Sequence, residues 1–341
     1  YSGCSRIEMT VGAHIFAPAG LSLTQDEIAF FMESSPWGFI LFARNIEKPE
    51  QVKRLTDSLR EAVRRDAPIL VDQEGGRVQR MRGPNWREWE PPLVQVERDG
   101  TERGMYLRGR LIGAELAEIG VSANCAPSAD IAYQDTHPFL SNRCYGRDVE
   151  TVVAMARATA NGLSASGILP VIKHAPGHGR ATIDSHKAMP RISATLEDLN
   201  ATDFEAFRAL ADMPMAMTGH VVVEALDIER PATQSQRTIS YMRNELGLDQ
   251  LLMTDDISMG ALSGSIGERS SAALEAGCDV VLHCNGILSE MEEVAQASPV
   301  LEGQAKRRAD AALAARKQAD PIDIQAVVSE LGDLLRESAY A

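Results

Sequence analysis

Short apolar runs alternate with helical stretches along most of the chain, and this alternation restricts the fold more than any other feature of the sequence. Runs rich in β-favouring apolar residues fall at 11–16, 37–43, 68–71, 121–126, 168–172, 214–219, 251–254 and 278–283. Between them, helices are expected over 24–33, 49–65, 101–119, 149–166, 197–211, 240–246 and 270–276. Thr24 and Glu27 are spaced as a capping box, Pro49 suits a first helical turn, and Gly247 suits a helix end. Eight strands in βα order predict class α/β, closed as a single-domain (β/α)8 TIM barrel. The Ala-, Glu- and Arg-rich tail after Ser289 should add terminal helices packed on the barrel wall, so that residues 9–341 form one barrel domain with C-terminal helices. No repeat or linker marks a second domain.

Residues 1–8 read as an N-terminal extension. Tyr1-Ser-Gly-Cys4 loosely resembles the end of a lipoprotein signal, but no apolar segment precedes it; an expression scar before a natural start at Met9 is the preferred reading. No apolar run approaches the roughly 18 residues needed to span a bilayer. A net charge of −14 and a pI near 5.0 argue against nucleic acid, which requires clustered Lys and Arg. Five cysteines, odd in number and without metal-type spacing, fit a reducing, cytoplasmic setting.

Polar residues recur where the apolar runs end: residues 72–80 after the third, Asp130 after the fourth, Lys173 and His174 after the fifth, His220 after the sixth and Asp255 after the seventh. A barrel brings such strand ends together on one face, where barrel enzymes place their chemistry. Asp255 directly follows the β-favouring run Leu251-Leu-Met-Thr254; a carboxylate there needs cationic or donor partners, and a pocket rich in Lys, Arg and His supplies them. It is the candidate nucleophile, and neighbouring Asp256 is assigned to loop shaping. His186 lies two residues after Asp184, a spacing that lets one loop carry an imidazole and the carboxylate that orients it, a pair able to deliver and accept a proton near neutral pH. Gly177 and Gly179 suit a loop that folds over substrate.

Arg80, Arg143 and Lys173 are donors, and Asp72 an acceptor, suited to sugar hydroxyls and an amide carbonyl. His174, His178, Asp184 and His186 invite a metal-site reading, but Pro176 and Gly177 keep the first two histidines from sharing a helix face, so no metal or other cofactor is assigned. Gly75 and Gly76 permit close backbone approach without forming a phosphate loop, since no Gly-Lys-Ser/Thr follows.

Together, residues 72–80 (Asp-Gln-Glu-Gly-Gly-Arg-Val-Gln-Arg), 173–179 (Lys-His-Ala-Pro-Gly-His-Gly), 184–186 (Asp-Ser-His) and 254–259 (Thr-Asp-Asp-Ile-Ser-Met) closely resemble the bacterial β-N-acetylglucosaminidases of glycoside hydrolase family 3, of the cell-wall recycling kind. The resemblance runs from about Met9 to the end. It implies a single-domain barrel that removes a non-reducing terminal N-acetylglucosamine with retention of configuration. It also implies that Asp255 is the nucleophile, His186 the acid/base and Asp184 its partner, and that Asp72, Arg80, Arg143, Lys173 and His174 bind the sugar and its acetamido group. The substrates it implies are N-acetylglucosaminyl-1,6-anhydro-muramyl peptides, met by a monomer or weak oligomer with no nucleic-acid or membrane partner. Two departures, Ala175 where the family often has Phe and the 86–92 segment, are expected to alter the pocket rim more than the reaction. The alternatives are a metal-dependent amidohydrolase barrel using His174, His178 and His186, and an amino-sugar-binding protein without catalysis.

Overall fold

The computed structural model describes residues 10–183 and 189–337. The expected N-terminal extension and the Asp184–His186 pair lie outside the described residues. The eight barrel strands are β1 (Gly12–Phe16), β2 (Pro36–Leu41), β3 (Ile69–Val71), β4 (Ala123–Asn124), β5 (Leu169–Ala175), β6 (Met215–Thr218), β7 (Leu251–Asp256) and β8 (Val280–His283). Each pairs in parallel with the next, and β8 returns to β1 with His14 opposite Val281 and Phe16 opposite His283, which closes the barrel. A parallel order requires a crossover after each strand. The principal crossover helices are α1 (Gln25–Ser34), α2 (Pro49–Val63), α3 (Glu102–Glu118), α4 (Val149–Ala165), α5 (Asp203–Ala209), α6 (Gln236–Asn244) and α7 (Ile266–Ala276), with α8 (Leu288–Ala297) after β8. The Thr24–Glu27 capping box forms as the sequence indicates.

Strand period decides what faces the barrel interior. Ile15, Leu70, Val171, Met217, Met253 and Leu282 pack together inside, whereas Phe16, Val71, Ile172, Ala216, Leu252 and Val281 face the helical layer. Two residues on from Leu70, Val171 and Met253 stand Asp72, Lys173 and Asp255. The alternation that fills the barrel with aliphatic groups therefore ends, at the C-terminal mouth, in a ring of charge.

Several elements depart from the sequence reading. The ladder of β4 is only two residues long, because Pro127 cannot donate to a neighbour and Ser122 bonds by its side chain as well as its backbone. The helix expected over 197–211 is two, Leu196–Ala201 and α5, broken at Thr202 with φ −131° and ψ −93°. Helix α6 starts at Gln236 rather than 240 because the Ser235 hydroxyl accepts the Thr238 N–H, and a capping box of Ser265 and Glu268 sets the start of α7.

The tail is not wholly on the wall. Helix α9 (Gly303–Ala314) closes the N-terminal mouth: Leu301, Ala309 and Ala312 join the interior cluster, and Arg308 bonds Asp249 and Asp279 just ahead of β7 and β8. Helix α10 (Ile324–Glu337) does pack outside, against α3. No described helix is long and apolar enough to cross a membrane.

Candidate active site

At the C-terminal mouth a cavity of about 320 Å³ is lined by Asp72, Arg80, Arg143, Lys173, His174 and Asp255, so that every described residue singled out in the sequence for catalysis or sugar binding meets in one place. The volume falls at the small end of the range of about 300–1,000 Å³ usual for small-molecule sites.

The chain after β3 turns into a hairpin of Gln73–Gly75 against Val78–Gln79. The turn demands glycine at 75: its φ is +112°, and a Cβ there would lie 2.1 Å from the Arg108 guanidinium and 2.5 Å from the Glu90 carbonyl oxygen. The hairpin aims Glu74 inward, 1% exposed. Arg143 grips it with a two-pronged pair, Nε to Oε2 at 2.9 Å and Nη2 to Oε1 at 2.8 Å, and Lys173 Nζ lies 2.5 Å from Oε1. Lys173 also donates to Asp72 at 2.9 Å, and Arg80 donates to the other Asp72 oxygen at 2.8 Å. Burial by itself would raise the Asp72 and Glu74 carboxyls. The cations outweigh it, Lys173 then Arg80 for Asp72 and Arg143 then Lys173 for Glu74, and hold both below the usual carboxylate range. Burial would lower Lys173, but Asp72 and Glu74 prevail and keep it charged.

A second network fixes the histidine. The Lys173–His174 peptide is cis. Buried Asp130 accepts from the His174 ring Nδ1 at 2.7 Å and from the His178 backbone N–H at 2.7 Å. His174 Nε2 is 3.2 Å from Arg143 Nη2, and a guanidinium only donates, so Nε2 is the accepting nitrogen. Both ring nitrogens are thus engaged, one of them by a cation. That environment opposes a metal on His174, and Asp184 and His186, the other members of the metal reading besides His178, lie outside the described residues. Gly179 permits this loop to pass the barrel: a Cβ there would sit 2.0 Å from the Ile131 carbonyl oxygen.

Asp255 is the next-to-last residue of β7, partly open to the cavity. Its Oδ1 accepts the Asp256 N–H at 2.8 Å. Burial pushes its carboxyl up, but His174, His220, that N–H and Lys173 together hold it below its ordinary value, ionised near neutrality. His220, beneath it, engages Thr233 through Nδ1 at 2.8 Å and donates from Nε2 to the Asp256 carbonyl at 2.9 Å. Asp256 accepts from Ser258 Oγ at 2.7 Å and from the Cys284 N–H at 3.2 Å, which is the loop-shaping part read from the sequence.

Two site residues escaped the sequence reading. Glu74 was legible only as one polar residue of its cluster, and Asp130 only as a strand-end acid. Neither of the noted departures lines the cavity, although the 86–92 segment holds the hairpin turn beside it through the Gly76 N–H and the Trp89 carbonyl. Ala175 packs fully buried in the helical layer, and Trp86 and Trp89 are buried beneath the hairpin, where the Trp89 N–H and the Arg87 carbonyl bond the Gln79 side chain.

The sequence model of the Glycosyl hydrolase family 3 N terminal domain matches residues 24–314. Relatives named Beta-hexosaminidase include that of Methylobacillus flagellatus, 35% identical over 288 residues (81% of this chain and 81% of the relative). That of Alkalilimnicola ehrlichii is 36% identical over 286 residues (81% and 82%). Among solved structures, native NagZ from Neisseria gonorrhoeae superposes with a TM-score of 0.83 at 28% identity, over 97% of this chain and 98% of that one. A glycoside hydrolase family 3 beta-N-acetylglucosaminidase from Paenibacillus sp. str. FPU-7 gives 0.84 at 27% identity, over 96% of this chain and 66% of that longer one. A barrel matched by the family model over most of its length, with a charged cavity at its catalytic end, belongs to glycosyl hydrolase family 3, and the chain is a glycoside hydrolase.

Proposed function

We propose that the chain is a retaining exo-β-N-acetylglucosaminidase that removes terminal N-acetylglucosamine from peptidoglycan fragments such as N-acetylglucosaminyl-1,6-anhydro-muramyl peptides. The observation that carries this reading is the meeting of an ionised Asp255 with Asp72, Arg80, Arg143, Lys173 and His174 in one cavity, in a chain similar to beta-hexosaminidases. Asp72, flanked by two cations, accepts from sugar hydroxyls. Arg80, Lys173, Arg143 and His174 surround the ring and its acetamido group.

Asp255 attacks the anomeric carbon while His186, oriented by Asp184, protonates the departing oxygen. The C–O bond to the leaving group breaks as the Asp255–sugar ester forms. Water, giving its proton to the same histidine, then attacks the anomeric carbon and frees Asp255. Retaining glycosidases usually use two carboxyl groups; an imidazole acid instead needs no apolar pocket to hold a proton near pH 6–7. We place the reaction in the cytoplasm, since the four described cysteines are unpaired and buried, and we propose one barrel domain acting as a monomer or weak oligomer.

The test is release of nitrophenol from p-nitrophenyl N-acetyl-β-glucosaminide, with and without EDTA, by the parent and Asp255→Ala. The proposal requires chelator-resistant turnover abolished by the substitution. Turnover that survives loss of Asp255 contradicts the nucleophile assignment, and none with the parent contradicts the substrate.

A further inference from the structure

Four cationic side chains line the cavity: Arg77, Arg80, Arg143 and Lys173. The last three pair with Asp72 and Glu74, Lys173 with both. Arg77 has no acidic or hydrogen-bonding partner among the described residues, unlike Arg82, which finds Glu88, and Arg147, which finds Glu97. Its guanidinium is instead held 4.1 Å from the centroid of the Phe139 ring, which Arg143 also approaches, at 5.3 Å.

Exposure orders these groups by depth. Lys173 is 1% exposed, His174 4% and Arg143 8%, whereas Arg77 is exposed on the hairpin turn. A glycoside whose terminal sugar reaches the buried groups leaves its aglycone at the mouth, beside Arg77 and the Phe139 ring. A guanidinium with its donors unused and its plane steadied by an aromatic ring is prepared for the two oxygens of a carboxylate.

We propose that Arg77, seated on Phe139, forms an aglycone subsite that binds a carboxylate carried by the leaving group. The inference rests on the proposed amino-sugar hydrolase activity and narrows it to acid-bearing aglycones. The experiment compares the disaccharide N-acetylglucosaminyl-1,6-anhydro-N-acetylmuramic acid with its lactyl carboxylate free or methylated, reading kcat/KM for each with the parent, Arg77→Gln and Arg77→Lys. Taking the acid-to-ester ratio cancels any general loss of activity. The parent should favour the acid by about tenfold, the factor that about 1.4 kcal/mol represents, mainly through KM. Arg77→Gln should bring the ratio near one, and Arg77→Lys, which keeps the charge without the fork, should fall between. High ionic strength should shrink the parent's preference, because the contact is exposed. A parent ratio near one, or an Arg77→Gln ratio as large as the parent's, overturns the subsite while leaving the hydrolase reading intact. Failure to cleave either disaccharide and the neutral nitrophenyl glycoside overturns both.

Discussion

Replacing Glu74 by glutamine tests whether a residue that never reaches the scissile bond holds the sugar-binding cations in place. Glu74 is 1% exposed, accepts two bonds from Arg143 and forms an ion pair with Lys173. Glutamine keeps the shape but offers one oxygen and an NH2 group, so a donor is forced against Arg143 or Lys173. Breaking a buried ion pair by removing one partner costs about 3–5 kcal/mol, since the other charge stays desolvated. Lys173 keeps Asp72 at 2.9 Å, which places the expected loss near the lower end, about 3 kcal/mol. Urea unfolding of Glu74→Gln beside the parent measures it. The Glu74 carboxyl lies below its usual value in the folded state, so its contribution is present above about pH 4.5 and is lost as pH falls through the folded value. The gap between parent and variant should therefore narrow in acid. In kinetics, KM for the nitrophenyl amino sugar should rise about tenfold, the effect of about 1.4 kcal/mol, with a smaller fall in kcat, because the displaced groups bind the sugar before the reaction begins. An unfolding midpoint and KM equal to the parent's would refute the positioning argument.

Other consequences follow from the same geometry. Asp130→Asn should lower kcat/KM about 10- to 100-fold, the range of one charge-assisted hydrogen bond of about 1.5–3 kcal/mol, because the acceptor that fixes the His174 ring is weakened. His178 is buried and lowered to about 4, by burial first and then by His174. The unfolded chain therefore takes up a proton that the folded one refuses, and stability should fall by up to about 3 kcal/mol as pH drops from about 6.5 to 4. Unfolding of His178→Leu over that interval should show a weaker pH dependence, and an equal dependence would contradict this assignment. Asp255→Asn should abolish turnover while leaving the urea midpoint within about 1 kcal/mol of the parent, as the side chain is partly open to the cavity; substantial unfolding would mean that Asp255 is structural.

The barrel was legible because its signals are local: an apolar run, a cap, a polar strand end. The Thr24–Glu27 box and the strand ends at Asp72, Lys173 and Asp255 could be read directly. The broken helix at Thr202 could not, since nothing in its neighbours' propensities forbids a continuous helix. The closure of the N-terminal mouth by α9 depends on Arg308 meeting Asp249 and Asp279, contacts between segments remote in sequence. Glu74 was missed for a related reason. A carboxylate two residues from Asp72 looks like one more polar loop residue until the hairpin turns it beneath Arg143, a residue 69 positions away. Arg77 presents the opposite case, since its importance lies in having no acid opposite it among the described residues, which a sequence does not display.

The most direct test of the account is the intact mass of the protein after incubation with a 5-fluoro-N-acetylglucosaminyl fluoride, in which fluorine at C5 slows release of the sugar and the acetamido group is retained. A mass gain of one fluorinated sugar, located on the peptide that contains Asp255 and absent from Asp255→Ala, is the predicted result. An adduct on another residue, or sustained turnover of the reagent with no adduct trapped, would contradict a covalent route through Asp255.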